Sequence, residues 1–129
     1  MPHEESRYPL DWFRIGDREL NRANYLLQGG DLIGAGFNIQ QTIEKYFKGF
    51  LLSKGWELKR IHNLETLLNE IFRYDSSFEE FRAACQKITQ YYIEDRYPFI
   101  VASELTEDEI RDSLSVAENI ISKIKGLVT

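Results

Sequence analysis

The sequence has a single cysteine, Cys85, so no internal disulfide can form. Two histidines and that one thiol are too few for a zinc site of the usual ligand spacing. The chain has no G-x-x-x-x-G-K-[ST] loop, no G-x-G-x-x-G turn and no nucleophile elbow, which removes the common phosphate-loop, dinucleotide and hydrolase designs. Nothing in the sequence calls for a cofactor. No apolar run approaches the roughly 18 residues of a membrane span. The stretch from Met1 to Asp11 is polar and acidic, unlike a secretory leader, so no membrane association and a cytoplasmic location are expected. Excess positive charge is also missing. A net charge of −5 argues against strong autonomous binding to nucleic acid, whose non-specific affinity comes mostly from neutralised phosphates.

The 129 residues, 43% hydrophobic and 29% charged, suit one ordinary soluble domain spanning 1–129, with a core over about 10–128 and residues 1–8 as a disordered tail. The charge is unevenly spread. Between residues 40 and 62, Lys45, Lys48, Lys54, Lys59 and Arg60 face only Glu44 and Glu57, a local +3 that leaves −8 on the remainder. One end of the molecule would attract an anion while the rest repels a long polyanion. The alternative is a solvated basic helix and loop.

Apolar spacing is helical throughout, and no stretch alternates as a strand. A first helix is expected from about Leu10 to Gln28, with Phe13, Gly16, Leu20, Ala23 and Leu27 on one stripe and Gly29-Gly30 as its stop. Asp31 caps a second, to about Lys54 before Gly55, whose inward stripe is Phe37, Gln40, Ile43, Phe47, Phe50 and Leu51. One glutamine in an apolar stripe is a local inconsistency that flags a site. After the basic loop Trp56 to Ile61, Asn63 caps a short helix with Leu64, Leu67, Leu68, Ile71 and Phe72 inward. Ser77 with Glu80 reads as a capping box for a fourth helix to about Asp95, with Phe78, Phe81, Cys85, Ile88 and Tyr92 inward. Pro98 ends that run. Thr106 with Glu109 opens the last helix, carrying Ile110, Leu114, Ala117, Ile121, Ile124 and Val128. The expected fold is all-α: an antiparallel, up-and-down bundle of four-helix type with an extra short helix, about five helices in all.

Gln41, Glu44 and Lys48 fall at i, i+3 and i+7 and share a helix face, with Gln40 beside them. Such a row either binds a ligand or lines a seam of the bundle. His62, just before a helix cap, is either a hydrogen-bonded structural residue or an imidazole at an anion site near Lys59 and Arg60. Arg96 closes a helix, where a cation meets the last carbonyls; beside Tyr97 and the rigid Pro98, its guanidinium also suits phosphate recognition. Arg14, Arg18 and Arg22 line one face of the first helix and meet carboxylates or solvent rather than RNA.

Taken in order, Gln40-Gln41-Thr42-Ile43-Glu44-Lys45-Tyr46-Phe47-Lys48, then His62-Asn63-Leu64, then Arg96-Tyr97-Pro98 resemble the HEPN family of small helical domains. The family pattern reads A-x-x-Q-Q-A-x-E-K-x-x-K-x-x-L, then G, H-x-L and R-Y-P. Gln40, Gln41, Glu44, Lys45, Lys48, Leu51, Gly55, His62, Leu64, Arg96, Tyr97 and Pro98 fall in place over a span from Trp12 to about Leu127. Many members of the family are similar to metal-independent ribonucleases, in which an arginine and a histidine lie four to six residues apart. Here the positions after Arg96 hold Val101, Ala102 and Ser103, and those before His62 hold Gly55, Trp56 and Glu57.

The resemblance therefore implies a non-catalytic bundle that binds a nucleotide or nucleic-acid end through Gln41, Glu44, Lys45, Lys48, His62, Arg96 and Tyr97. Its implied partner is a small nucleotidyltransferase. The alternatives are a toxin-type ribonuclease with a non-standard Arg96 and His62 pair, and a ligand-free oligomerisation bundle.

The aromatic content, 7 Tyr, 8 Phe and 2 Trp, exceeds what a small core needs, and Trp56, Phe99 and Ile100 fall in expected loops. Surplus apolar surface marks an interface, and two-fold pairing is the commonest closed arrangement. A homodimer is the expected outcome. Light scattering at micromolar concentration should give twice the monomer mass, and a monomer mass would refute it.

Overall fold

The computed structural model describes residues 6–96 and 105–128, and every regular element among them is helical. The elements are α1 (Pro9–Gln28), α2 (Leu32–Ser53), α3 (Leu64–Phe72), a 3-10 turn (Ser76–Phe81), α4 (Arg82–Ile88), α5 (Gln90–Arg96) and α6 (Glu107–Val128). They form the up-and-down bundle, with α3 as the extra short helix. Their ends follow the local chemistry. Asp31 accepts the Gly34 N–H at 2.8 Å, Asn63 accepts that of Thr66 at 3.0 Å, and Thr106 Oγ1 accepts that of Glu109 at 3.1 Å. Gly30 and Gly55, with φ of 83° and 86°, turn the chain after α1 and α2 through a region that L side chains rarely adopt.

Helix α2 is the axis of the molecule. It packs against α1, α3, α5 and α6, so from Ala35 to Leu51 it is buried almost throughout, well beyond the expected stripe. Being surrounded, it buries Glu44, Lys45 and Lys48 as well as Ile43 and Phe47.

Five expectations fail for identifiable reasons. Val128, expected on the stripe of the last helix, is 37% exposed, because α6 ends there. Phe72 is 47% exposed, because α3 ends there and its last residue passes the edge of the core. Ser77 does not cap the fourth element. Asp75 does, accepting the Ser77 N–H at 2.9 Å, while Glu80 reaches Lys123 of α6 at 2.7 Å. The fourth helix is also divided. A break at Thr89 shifts the register, so Tyr91 faces inward and bonds Ser113 at 3.0 Å, whereas Tyr92 is only half-buried. Trp56 is 7% exposed: its loop folds back onto the core, so it is no part of any surplus surface. Tyr97, Pro98, Phe99 and Ile100 lie outside the described residues.

Helices α1 and α2 approach closely through a reciprocal contact. Gly16 of α1 faces the Tyr46 ring, Gly49 of α2 faces the Phe13 ring, and the two rings stack 5.0 Å apart. The Tyr46 hydroxyl donates to Asp17 of α1. Burial, and then this carboxylate neighbour, push the phenol well above its ordinary value.

A methyl group at Gly49 would run into the Phe13 ring, whereas one at Gly126 in α6 meets nothing within 4 Å. Gly126→Ala should therefore stabilise by about 0.5–1 kcal/mol through helix propensity. Gly49→Ala should instead destabilise by about 1–3 kcal/mol through overpacking. Urea unfolding of both variants checks the opposite signs.

Candidate functional site

The site is built around one carboxylate. Glu44, at the middle of α2, is 0% exposed. Its Oε2 accepts from Lys45 Nζ and Lys48 Nζ, both at 3.1 Å, and from His62 Nδ1 at 3.2 Å. Its Oε1 accepts from Gln40 Nε2 at 3.2 Å. An ionised carboxylate can only accept, so Nδ1 carries a hydrogen and Nε2 is left as the other imidazole nitrogen. The histidine side chain is 48% exposed, which makes it the solvent-facing member of the group.

Gln40 explains the break in the apolar stripe. Its Nε2 also donates to the His62 carbonyl at 2.9 Å, and its Oε1 accepts from Gln41 Nε2 at 2.6 Å. The glutamine thus ties α2 to the loop before α3. A second tie holds the same loop from the other side: Thr89, at the break between α4 and α5, accepts the Leu64 N–H at 3.1 Å. His62 stacks on Tyr92 of α5, with centroids 5.5 Å apart and planes 10° apart. Arg96 closes α5 one helical turn beyond Tyr92; its side chain lies outside the described part of the structure, as does Tyr97.

Burying two ammonium groups is costly unless they are paired. Glu44 pairs both, and the Trp12 ring of α1 lies over them at 5.8 Å from Lys45 and 5.4 Å from Lys48, a cation–π arrangement. The Trp12 indole N–H is itself satisfied by the Ser6 carbonyl at 2.8 Å. For Glu44, burial is the largest single influence and raises the carboxyl. The charges of Lys45, Lys48 and His62, with the hydrogen bond from Lys48, together outweigh it and hold the group below its ordinary value.

Above this cluster is a cleft of about 70 Å³, lined by Glu44, Lys45, Lys48, Lys59, Arg60 and His62. Four permanent cations surround one carboxylate, although Lys59 is also paired with Glu70 at 3.1 Å. The volume is small, enough for a few waters or one compact oxyanion.

The structure thus brings Glu44, Lys45, Lys48 and His62 together, joins Lys59 and Arg60 to them, and attaches Gln41 at the edge through Gln40. Sequence reasoning missed Trp12 and gave Tyr92 to the core. Among the described residues no group of His, Cys, Asp and Glu could hold a metal ion, and no helix is long and apolar enough to cross a membrane.

A small helical bundle with a largely buried Q-Q-x-x-E-K-x-x-K row on its central helix is the class that fold and site define. A family model described as HEPN domain matches residues 10–127, and the chain belongs to the HEPN family. Two crystal structures are similar over nearly their full lengths. One is an archaeal HEPN homologue, 27% identical with a TM-score of 0.76, covering 95% of this chain and 98% of that one. The other is a protein of Thermus thermophilus, 26% identical with a TM-score of 0.82, covering 92% and 96%. A comparison with curated proteins gives no match.

Because the Glu44 carboxyl titrates lower when folded, it contributes stability that is fully present above its ordinary 4.5 and is lost as pH falls through the folded value. Glu44→Gln would leave buried lysines without a counter-charge and should cost about 3–5 kcal/mol at neutral pH. The variant should also lose part of the fall in stability on acidification. Urea titrations at a series of pH values below neutrality check both, and parallel curves for the two proteins would refute the role.

Proposed function

We propose that this HEPN protein holds the phosphate of a nucleotide or of a nucleic-acid end in the basic cleft, without cleaving it, and works with a small nucleotidyltransferase. The observation that carries the reading is the convergence of Lys45, Lys48, Lys59, Arg60 and His62 on a cleft of about 70 Å³ in a protein of net charge −5. Held by Glu44, the ammonium groups are positioned before any ligand arrives, which lowers the ordering cost of binding. The acidic remainder disfavours long polyanions and favours a compact phosphate. The nucleotidyltransferase partner rests on family resemblance, and a homodimer on the exposed Tyr8, Leu10, Leu127 and Val128.

A second reading has its own support. The Glu44–His62 hydrogen bond leaves Nε2 for acid–base work, and Arg96 closes the helix whose Tyr92 stacks on that imidazole. This favours a metal-independent ribonuclease using Arg96 and His62.

Calorimetry with ATP, GTP and a short 5′-phosphorylated RNA should give measurable affinity that falls with added salt. Arg60→Ala, which removes a guanidinium lining the cleft, should weaken it by about 1.5–3 kcal/mol, the worth of a charged hydrogen bond. Lys54→Ala should do much less, because Lys54 does not line the cleft and sits over the Phe50 ring at 5.4 Å. RNA cleavage that disappears in His62→Ala would establish the ribonuclease instead. Heats equal to those of buffer for every ligand would leave the ligand-free interaction bundle.

A further inference from the structure

A second cleft, of about 530 Å³, opens between α1 and α2 one helical turn from Glu44. Tyr25 and Phe37 give it aromatic surface, and Asn21, Asn38 and Gln41 give it three carboxamides. Its volume is in the range of small-molecule sites, mostly apolar walls with a few polar groups that fix orientation. Carboxamides present donors and acceptors side by side, and an aromatic face accepts a planar ring. Together they match a flat heterocycle with mixed donors and acceptors along its edge. They do not match a phosphate: the cleft's Glu19 carboxylate accepts from Asn38 Nδ2 at 2.8 Å and pairs with Arg22 at 3.1 Å, so the pair adds no net positive charge.

Two physical links run from this cleft to the basic one. Gln41 donates to Gln40, which donates to Glu44 and to the His62 carbonyl. On the other side Phe37 lies 5.9 Å from Tyr92, and Tyr92 stacks on His62 at 5.5 Å. Gln41 and Glu44, at the facing edges of the two clefts, are about 5 Å apart along the helix axis, one turn. A ribose can bridge that gap between a base and its 5′-phosphate.

We infer that the cleft formed by Tyr25, Phe37, Asn38 and Gln41 is a nucleobase subsite, so that one nucleotide lies along α2 with its phosphate at Lys45, Lys48 and His62 and its base between α1 and α2. The inference rests on the basic cleft being a phosphate site. It adds which part of the ligand is read and where. The basic cleft is the smaller and more charged of the two, and the carboxamide cleft is larger and without net positive charge, so phosphate and base each have a preferred place.

The test compares AMP, GMP, CMP and UMP with ribose 5-phosphate, which keeps the phosphate and lacks the base, by calorimetry on the full chain. At least one mononucleotide should bind roughly tenfold tighter than ribose 5-phosphate, the usual gain from stacking one base. Tyr25 is 77% exposed, so Tyr25→Ala will fold. It should reduce mononucleotide affinity to the ribose 5-phosphate level while leaving ribose 5-phosphate itself unchanged. Gln41→Ala, checked for fold by circular dichroism, should change the preference among the four bases. Equal binding of mononucleotides and ribose 5-phosphate by the wild type would overturn the base subsite and leave the phosphate reading intact. So would a Tyr25→Ala variant that weakens both ligands alike. Failure of the wild type to bind any of the five would overturn the phosphate reading and the subsite with it.

Discussion

One oxygen atom organises this molecule. Glu44 Oε2 accepts from two ammonium groups and an imidazole, and those three donors come from α2 and from the loop before α3. Taking charges out of water costs several kcal/mol per ion, repaid only where the geometry is close and the remaining polar atoms are satisfied. The surrounding elements are arranged to meet that condition. Gly16 and Gly49 let α1 approach α2 closely, and on the same helix Trp12 covers both lysines. Gln40 and Thr89 pin the loop that carries His62. Packed among these elements, Glu44 is denied any solvent.

Local information was legible in the sequence and long-range information was not. Asp31, Asn63 and Thr106 were readable as caps because each bonds a backbone N–H three residues away. Ser77 misled because Asp75, two residues earlier, competes for the same role, and because Glu80 has a better partner in Lys123, far off in sequence. Tyr91 and Tyr92 exchanged places because periodicity assumes an unbroken helix, and this one is interrupted at Thr89, whose hydroxyl accepts the Leu64 N–H. Within the site, the Glu44–Lys48 pair follows from i,i+4 spacing alone. The convergence of His62 on that pair was carried only by family resemblance, and Trp12 gave no local sign, since its partners lie on another helix.

His62 differs from its neighbours in one respect that matters for function. Lys45 and Lys48 are almost fully buried, whereas the imidazole is half in solvent and bonded to the same carboxylate oxygen. It is therefore the member of the cluster that solvent reaches, with its Nδ1–H holding the ring to Glu44.

A carboxylate at the floor of the proposed anion site looks self-defeating, since it cancels one unit of the charge that would attract a phosphate. Its effect on geometry outweighs that loss. Without Glu44, two long, flexible lysines and a loop histidine would repel one another and spread into solvent, and binding would have to reassemble them. With it, three donors are fixed within hydrogen-bond reach of a single atom. An ammonium group carries three N–H groups, and the carboxylate takes one from each lysine. Preorganised donors in a small cleft favour a compact, doubly charged group over a diffuse chain of single charges, because only the compact group meets several of them at once. The acidic surface elsewhere acts in the same direction. The buried carboxylate and the net negative charge thus both fit the proposed ligand, a single phosphate, better than a long polyanion.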